Sequence, residues 1–343
     1  MKEAFGAVIG NDALRERLAC SVLEETLPHA IILEGPKGSG KRTVARLTAA
    51  ALLCERKKDP SAPIPCMSCP ACRKVLEDKS PDVIYTGLED KATIGVDAVR
   101  FLREDVRILP NDSDHKIYVI SDGDRMTPQA QNAFLLTLEE PPDYAHFFLL
   151  CENAGLFLET IRSRAPVLRT QPVSREEMDR YLCEHDRRAA QMKLSDPKGY
   201  AELLCASQKG IGQALEYLDP KTFAPIKQLR TLATDFVRAV IHTPSPCAIL
   251  PMLPRFSTKR DLLRVQLSAL SDALRDLILL KKSENALLSF YADREEAMEL
   301  CDGISLPALY RLNGAVIDAM EENNRNANVR LCLTKMLVEA QLI

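Results

Sequence analysis

Short apolar runs punctuate the first half of the chain at Ala30–Leu33, Val83–Tyr85, Ile117–Ile120, Phe147–Cys151 and Pro166–Leu168. Segments with apolar residues every three or four positions separate them, long enough to be crossover helices, and parallel strands require such crossovers. The alternation predicts a doubly wound α/β domain with its ligand chemistry at the carboxyl ends of the strands. Residues 43–53 read as a helix after the first strand. Val96, Val99, Leu102, Val106 and Leu109 predict one apolar helix face that ends at Pro110. Thr127-Pro128 marks a second helix start, with Ala130, Phe134, Leu135 and Leu138 as its stripe and Pro141-Pro142 as its stop.

After about residue 170 the strand runs vanish. Residues 176–183, 200–207 and 211–218 read as successive helices, and a last helical region runs from about 221 to 343, interrupted at Pro244-Ser245-Pro246. Its stripe of Leu262, Leu263, Val265, Leu267, Leu270, Leu274 and Leu277 predicts helices packed on one another. The expected division is 1–170, 171–220 and 221–343.

The first strand runs into Gly35-Pro36-Lys37-Gly38-Ser39-Gly40-Lys41, the spacing of a phosphate-binding loop, in the strand–loop–helix context that the motif needs. Its glycines let backbone N–H groups close around phosphates while Lys41 reaches the outer ones. The next position should carry a hydroxyl for magnesium, and it is Arg42. Thr43 is one residue further, about 100° round a helix, and points away from the site. A second departure follows at Ser121 in Ile117-Tyr118-Val119-Ile120-Ser121-Asp122-Gly123-Asp124, where the strand should deliver a carboxylate to the metal. Asp122 and Asp124 remain available, with polar turn residues as the plainer reading. ATP, ADP or phosphate binding can survive these changes through the backbone and Lys41; hydrolysis should be weak.

The chain has 343 residues, 46% of them hydrophobic and 27% charged, with a net charge of −3. It can bury substantial cores, and it lacks the basic excess of a protein that binds nucleic acid by charge alone, which argues against a free-standing zinc-dependent nucleic-acid module. There is no apolar run of membrane-spanning length and no signal-peptide pattern in Met1–Gly6, so a cytoplasmic protein without a membrane partner is expected. Eleven cysteines are too many for disulfides in a reducing compartment. Cys54, Cys66, Cys69 and Cys72, spaced C-x11-C-x2-C-x2-C, supply four thiolates for a closed structural zinc site. An iron–sulfur cluster also uses C-x2-C-x2-C runs but usually finds its fourth thiolate downstream, so zinc is the better fit. Cys20, Cys151, Cys183, Cys205, Cys247, Cys301 and Cys332 read as small core residues.

Pro28-His29-Ala30, the four-cysteine insertion, residues 132–142 with Leu136-Thr137-Leu138-Glu139-Glu140-Pro141-Pro142, and Arg162-Ser163-Arg164 together resemble the AAA+ subunits of the bacterial sliding-clamp loader. The likeness covers roughly residues 5–215. It implies a nucleotide-binding AAA+ domain with a zinc module at 54–72, a small helical lid and an all-helical collar. It further implies a five-subunit ring whose other members, the sliding clamp and primed DNA are the partners. The family uses the arginine at Arg164 as a finger pointing into a neighbour's nucleotide site, a catalytic role in trans. Ala165 stands where the family usually has cysteine. Some of these subunits hydrolyse ATP and some do not. Arg42, Ser121-Asp122 and the absence of a sensor arginine in Gly210–Leu215 match the second kind, as does an end at Ile343 without the long tail that one subunit carries.

Overall fold

The computed structural model describes Phe5 and residues 9–88, 93–208, 210–242, 249–325 and 327–340. Two compact units result, one of residues 1–178 with 209–212 and one of 179–208 with 213–343.

The first unit runs α1 (Asp12–Leu23), β1 (Ala30–Glu34), α2 (Lys41–Leu52), α3 (Pro70–Leu76), β2 (Val83–Thr86), α4 (Val96–Asp105), β3 (Lys116–Ile120), α5 (Pro128–Glu139), β4 (Ala145–Cys151), α6 (Glu159–Arg162) and β5 (Val167–Arg169). The five strands form a parallel sheet in the order β2-β3-β4-β1-β5. Both faces are covered, which is why the strands read as unbroken apolar runs and not as alternation. Ile31, Leu33, Ile117, Val119, Phe148 and Leu150 face one core with α1 and α2, while Ala30, Ile32, Tyr118, Ile120, Phe147 and Leu149 face the other with α4 and α5. Alanines 49, 50 and 51 are fully buried on α2 and let that helix lie close against the sheet.

Thr127 caps α5 as expected, its side chain accepting from the Ala130 N–H with Pro128 at the first helical position. Helix α4 stops at Asp105, earlier than Pro110, so Leu109 lies beyond the helical stripe and is exposed, whereas Val99, Leu102 and Val106 are buried. Asp105 is held there by Lys116 at 2.9 Å and by the Tyr118 hydroxyl at 2.8 Å. Buried Asp82 fixes the following loop by accepting from the N–H groups of Asn111 and Asp112 and from Ser113. Burial raises its pKa, but those donors outweigh it and hold the carboxyl below its ordinary value.

The chain continues through α7 (Arg175–His185), α8 (Arg187–Ser195), α9 (Pro197–Ala206), α10 (Ile211–Tyr217), α11 (Pro220–His242), α12 (Arg260–Lys282), α13 (Arg294–Asp302), α14 (Leu306–Asn324) and α15 (Val329–Glu339). Helix α8 went unread because its apolar positions are few; Ala189 is its one buried residue. Leu263, Leu267, Leu270, Leu274 and Leu277 of α12 form the middle of the second unit's core. Leu262 and Val265 do not join them and are exposed, because their spacing carries them off the buried face. Residues 243–248, including Pro244-Ser245-Pro246 and Cys247, lie outside the described residues. Cys151, Cys205, Cys301 and Cys332 are buried as expected, Cys183 is half-buried, and Cys20 corrects the expectation by being exposed on α1.

Candidate functional site

The loop after β1 begins with the Gly35 N–H donating to the Cys151 carbonyl at the end of β4, 3.1 Å away. A Cβ on Gly35 would collide with the Thr170 side chain and lie 2.9 Å from the Thr170 carbonyl oxygen, so only glycine fits. Gly38 and Gly40 have φ of 82° and 83°, the left-handed turns that wrap the loop before α2 begins. Ser39 is buried, with its hydroxyl 2.7 Å from that of Thr170. Lys41 donates to the Gly35 and Pro36 carbonyls at 2.6 and 2.8 Å. Burial lowers its pKa, while Glu152, Cys151, Asp124 and Asp122 pull it upward, which puts Asp122 and Asp124 within electrostatic reach of the loop lysine.

Arg42 lies over the Tyr85 ring on β2, its guanidinium carbon 4.8 Å from the ring centroid. Thr43 is half-buried. Ser121 follows β3 directly, its N–H bonded to the Thr86 carbonyl at 2.8 Å. Asp122 adopts a left-handed φ of 52°. The Asp124 carboxylate accepts from the N–H groups of Glu152 and Asn153 at 3.0 and 3.2 Å, tying the β3 and β4 exits together. Glu34, which the sequence reading passed over, makes the matching tie on the other side: it accepts from Ala154 N–H and from Arg169, both at 2.8 Å. The Ala154 N–H, then Arg169, hold its carboxyl below the usual range. Only its position as the last residue of an apolar strand could have drawn attention to it.

Arg164 lies between α6 and β5. Its guanidinium donates to the Thr160 carbonyl at 3.1 Å and to Glu139 at 3.0 Å, and its side chain is 37% exposed. The structure therefore joins the Ser-Arg motif to the Glu-Glu-Pro-Pro segment and leaves Arg164 unbonded to residues 35–43. An ion pair this exposed contributes about 0–1 kcal/mol, so it does not lock the side chain in place.

Cys54, at the end of α2, meets Cys66, Cys69 and Cys72 around α3. All four are buried, and their sulfurs lie within 4.8 Å of one another. The N–H groups of Cys69 and Cys72 point at the sulfurs of Cys66 and Cys69, both at 3.4 Å. Burial pushes the Cys54 and Cys72 thiols up; for Cys66 burial acts the same way but the N–H groups of Ser68 and Cys69 outweigh it, to about 6. Four convergent thiols, with backbone donors stabilising negative sulfur, fit a structural zinc ion and leave no ligand position for catalysis.

The parallel sheet, the glycine loop at the exit of β1 and the cysteine cluster make this a P-loop-type α/β domain with a four-cysteine module, followed by helical segments. Residues 10–174 match the family model described as DNA polymerase III, delta subunit. The chain is 32% identical over 164 residues to DNA polymerase III subunit tau of Bacillus subtilis, covering 47% of this chain and 28% of that protein. It is 32% identical over 166 residues to the delta' subunit of the same organism, covering 48% of this chain and 49% of that one. A Thermotoga maritima gamma subunit-related protein aligns with a TM-score of 0.49 and 18% identity, over 95% of this chain and 98% of that one. The matches span about a quarter to a half of the length of these curated relatives. Over its first half the chain is thus similar to DNA polymerase III subunits of both the delta' and the gamma/tau kind.

Proposed function

We propose that this chain is a delta'-type subunit of a DNA polymerase III clamp loader, which places a sliding clamp on primed DNA during replication in the cytoplasm. Gamma/tau and delta subunits are its direct partners, and the clamp and DNA are met through the complex. Residues 171–220 serve as the lid and 221–343 as the collar. The chain's own site, Gly35 to Thr43 with Gly38, Ser39, Gly40, Lys41 and Arg42 between, holds a nucleotide or phosphate without turning it over. Arg164 acts in a neighbour's site, stabilising charge on the transferring phosphoryl group, a contribution worth about 10³ to 10⁵ in rate for such fingers.

The observation that carries this reading is the pair of substitutions at the divalent-ion position. Arg42 has no oxygen to offer and its guanidinium rests on Tyr85, while Ser121 brings no carboxylate to the exit of β3. A motor that hydrolyses ATP needs both. The weak Arg164–Glu139 pair is compatible with a finger that swings outward. The experiment is clamp loading and ATP hydrolysis by the reconstituted complex carrying Arg164→Ala, expected to fall at least about a thousandfold at the adjoining site. Unchanged rates would remove the finger.

An active gamma/tau-like motor is the second reading. The intact left-handed geometry of Gly38 and Gly40 favours it, and the equal identity of 32% to tau and delta' leaves it open. Magnesium-dependent turnover by the chain alone separates the two.

A further inference from the structure

The second unit contains a cleft of about 530 Å³ between α9, α11 and the segment before α13. That volume is in the range of small-molecule sites, about 300–1,000 Å³. Its charges are almost all matched within the protein. Glu202 pairs with Lys227 at 3.2 Å, Glu296 with Arg238 at 2.7 Å and Asp235 with Arg255 at 2.9 Å. Asp293 caps α13 by accepting from the Glu295 N–H, and Arg294 donates to the Ala286 carbonyl.

Apart from exposed Lys198, Arg230 is the exception. Among the described residues it has neither an ion pair nor a hydrogen bond; its guanidinium lies against the Phe290 ring, 4.4 Å from the centroid. Beside it Tyr291 is 4% exposed, and its hydroxyl has no hydrogen-bond partner among the described residues. A buried polar group left unsatisfied costs about 1–3 kcal/mol. The backbone that carries Phe290 and Tyr291 is held from below. Buried Asp276 accepts from the N–H groups of Ser289, Phe290 and Tyr291 at 2.9, 2.6 and 3.1 Å, pinning the segment that carries both rings. Burial pushes the Tyr291 phenol above the tyrosine range, Glu296 and Asp276 add to that, and Arg238 and Arg230 oppose it. The hydroxyl is thus a donor at neutral pH and lies within electrostatic reach of Arg230.

We propose that this cleft binds a singly charged carboxylate, which accepts hydrogen bonds from the Arg230 guanidinium and the Tyr291 hydroxyl while Phe290 backs the guanidinium. A planar carboxylate matches the fork of an arginine. A polyphosphate is disfavoured because Glu202, Asp235, Asp293 and Glu296 stand in the lining beside the cations that have no acidic partner among the described residues, Arg230, Arg294 and exposed Lys198. The site is separate from the nucleotide loop and independent of the clamp-loader reading.

The test is a titration of the full chain with N-acetyl-L-glutamine, which carries one carboxylate, with the uncharged diamide N-acetyl-L-glutaminamide and inorganic phosphate as parallel probes, followed by NMR of the Phe290 and Tyr291 amides and by calorimetry. Saturable binding of the acid that moves both amides, with the diamide and phosphate at least tenfold weaker, is expected. Arg230→Gln should weaken the acid at least tenfold, and Tyr291→Phe, which keeps the ring and its packing, should weaken it several-fold. No shift at these amides, tighter binding of phosphate or the diamide, or acid binding indifferent to Tyr291→Phe in a folded variant would each overturn the proposal.

Discussion

Lys41 directs two of its three N–H donors at carbonyls of its own loop, Gly35 and Pro36, so a phosphate arriving in the loop has to draw the lysine away from them. The interaction that replaces them is charge-assisted and stronger. Lys41→Ala should therefore weaken ADP binding, by about tenfold or more, in equilibrium titration. Gly35 tests the loop's packing. Gly35→Ala presses a methyl against Thr170 and should destabilise the first unit by about 1–3 kcal/mol, read from a lower denaturant midpoint. Arg42 and Ser121 make opposite predictions singly and together. Arg42→Thr alone restores a hydroxyl without its carboxylate partner and should leave nucleotide affinity insensitive to magnesium. Arg42→Thr with Ser121→Asp supplies both oxygens and should make affinity rise by about tenfold on adding magnesium, since a seated divalent ion offsets phosphate charge. Magnesium-independent affinity in the double variant would show that these two positions do not govern the ion.

Helices and strands carry their own tests. The cysteine module spans the end of α2 and the start of α3, and a structural zinc ion contributes about 10–16 kcal/mol of apparent binding free energy in small modules. Metal analysis should find one zinc per chain, and either a chelator or Cys69→Ser should release it and lower the melting temperature; full thermal stability in the metal-free chain would contradict this. Near the start of β4, His146 lies with its Nε2 3.3 Å from Nδ1 of His115. Burial, with His115 second, depresses its pKa to about 4. The folded state then binds fewer protons than the unfolded chain between the ordinary histidine pKa of about 6.5 and that value. Stability from this group is complete above pH 6.5 and is lost as pH falls toward 4, by up to about 1.4 kcal/mol per pH unit. His146→Gln should flatten acid unfolding in that window.

The elements were legible where one signal dominated. Five unbroken apolar runs, a glycine loop and Thr127-Pro128 specify strands, loop and helix start by themselves, and the structure has them at β1 to β5, residues 35–41 and α5. What escaped depended on distant partners. Nothing in the local pattern says that α4 ends at Asp105, because Lys116 and Tyr118 hold it there. Glu34 and Asp124 became visible only once their backbone partners on the β4 exit were placed. Likewise Arg164 was readable as a motif, but its pairing with Glu139 joins positions 25 residues apart.

At the scale of the molecule, a net charge of −3 lacks the basic excess of a protein that grips nucleic acid by charge alone. None of the described helices is long and apolar enough to cross a membrane. The isolated chain should show no steeply salt-dependent DNA binding, the signature of a protein neutralising many phosphates. The proposed lack of turnover rests most on Arg42 and Ser121 standing where cation ligands would be. ATP hydrolysis by the isolated full chain, with and without magnesium and compared with Lys41→Ala, tests them most directly. Turnover that is insensitive to magnesium and equal in the two proteins is the predicted result; a magnesium-dependent rate comparable to a working P-loop ATPase, abolished by Lys41→Ala, would contradict it.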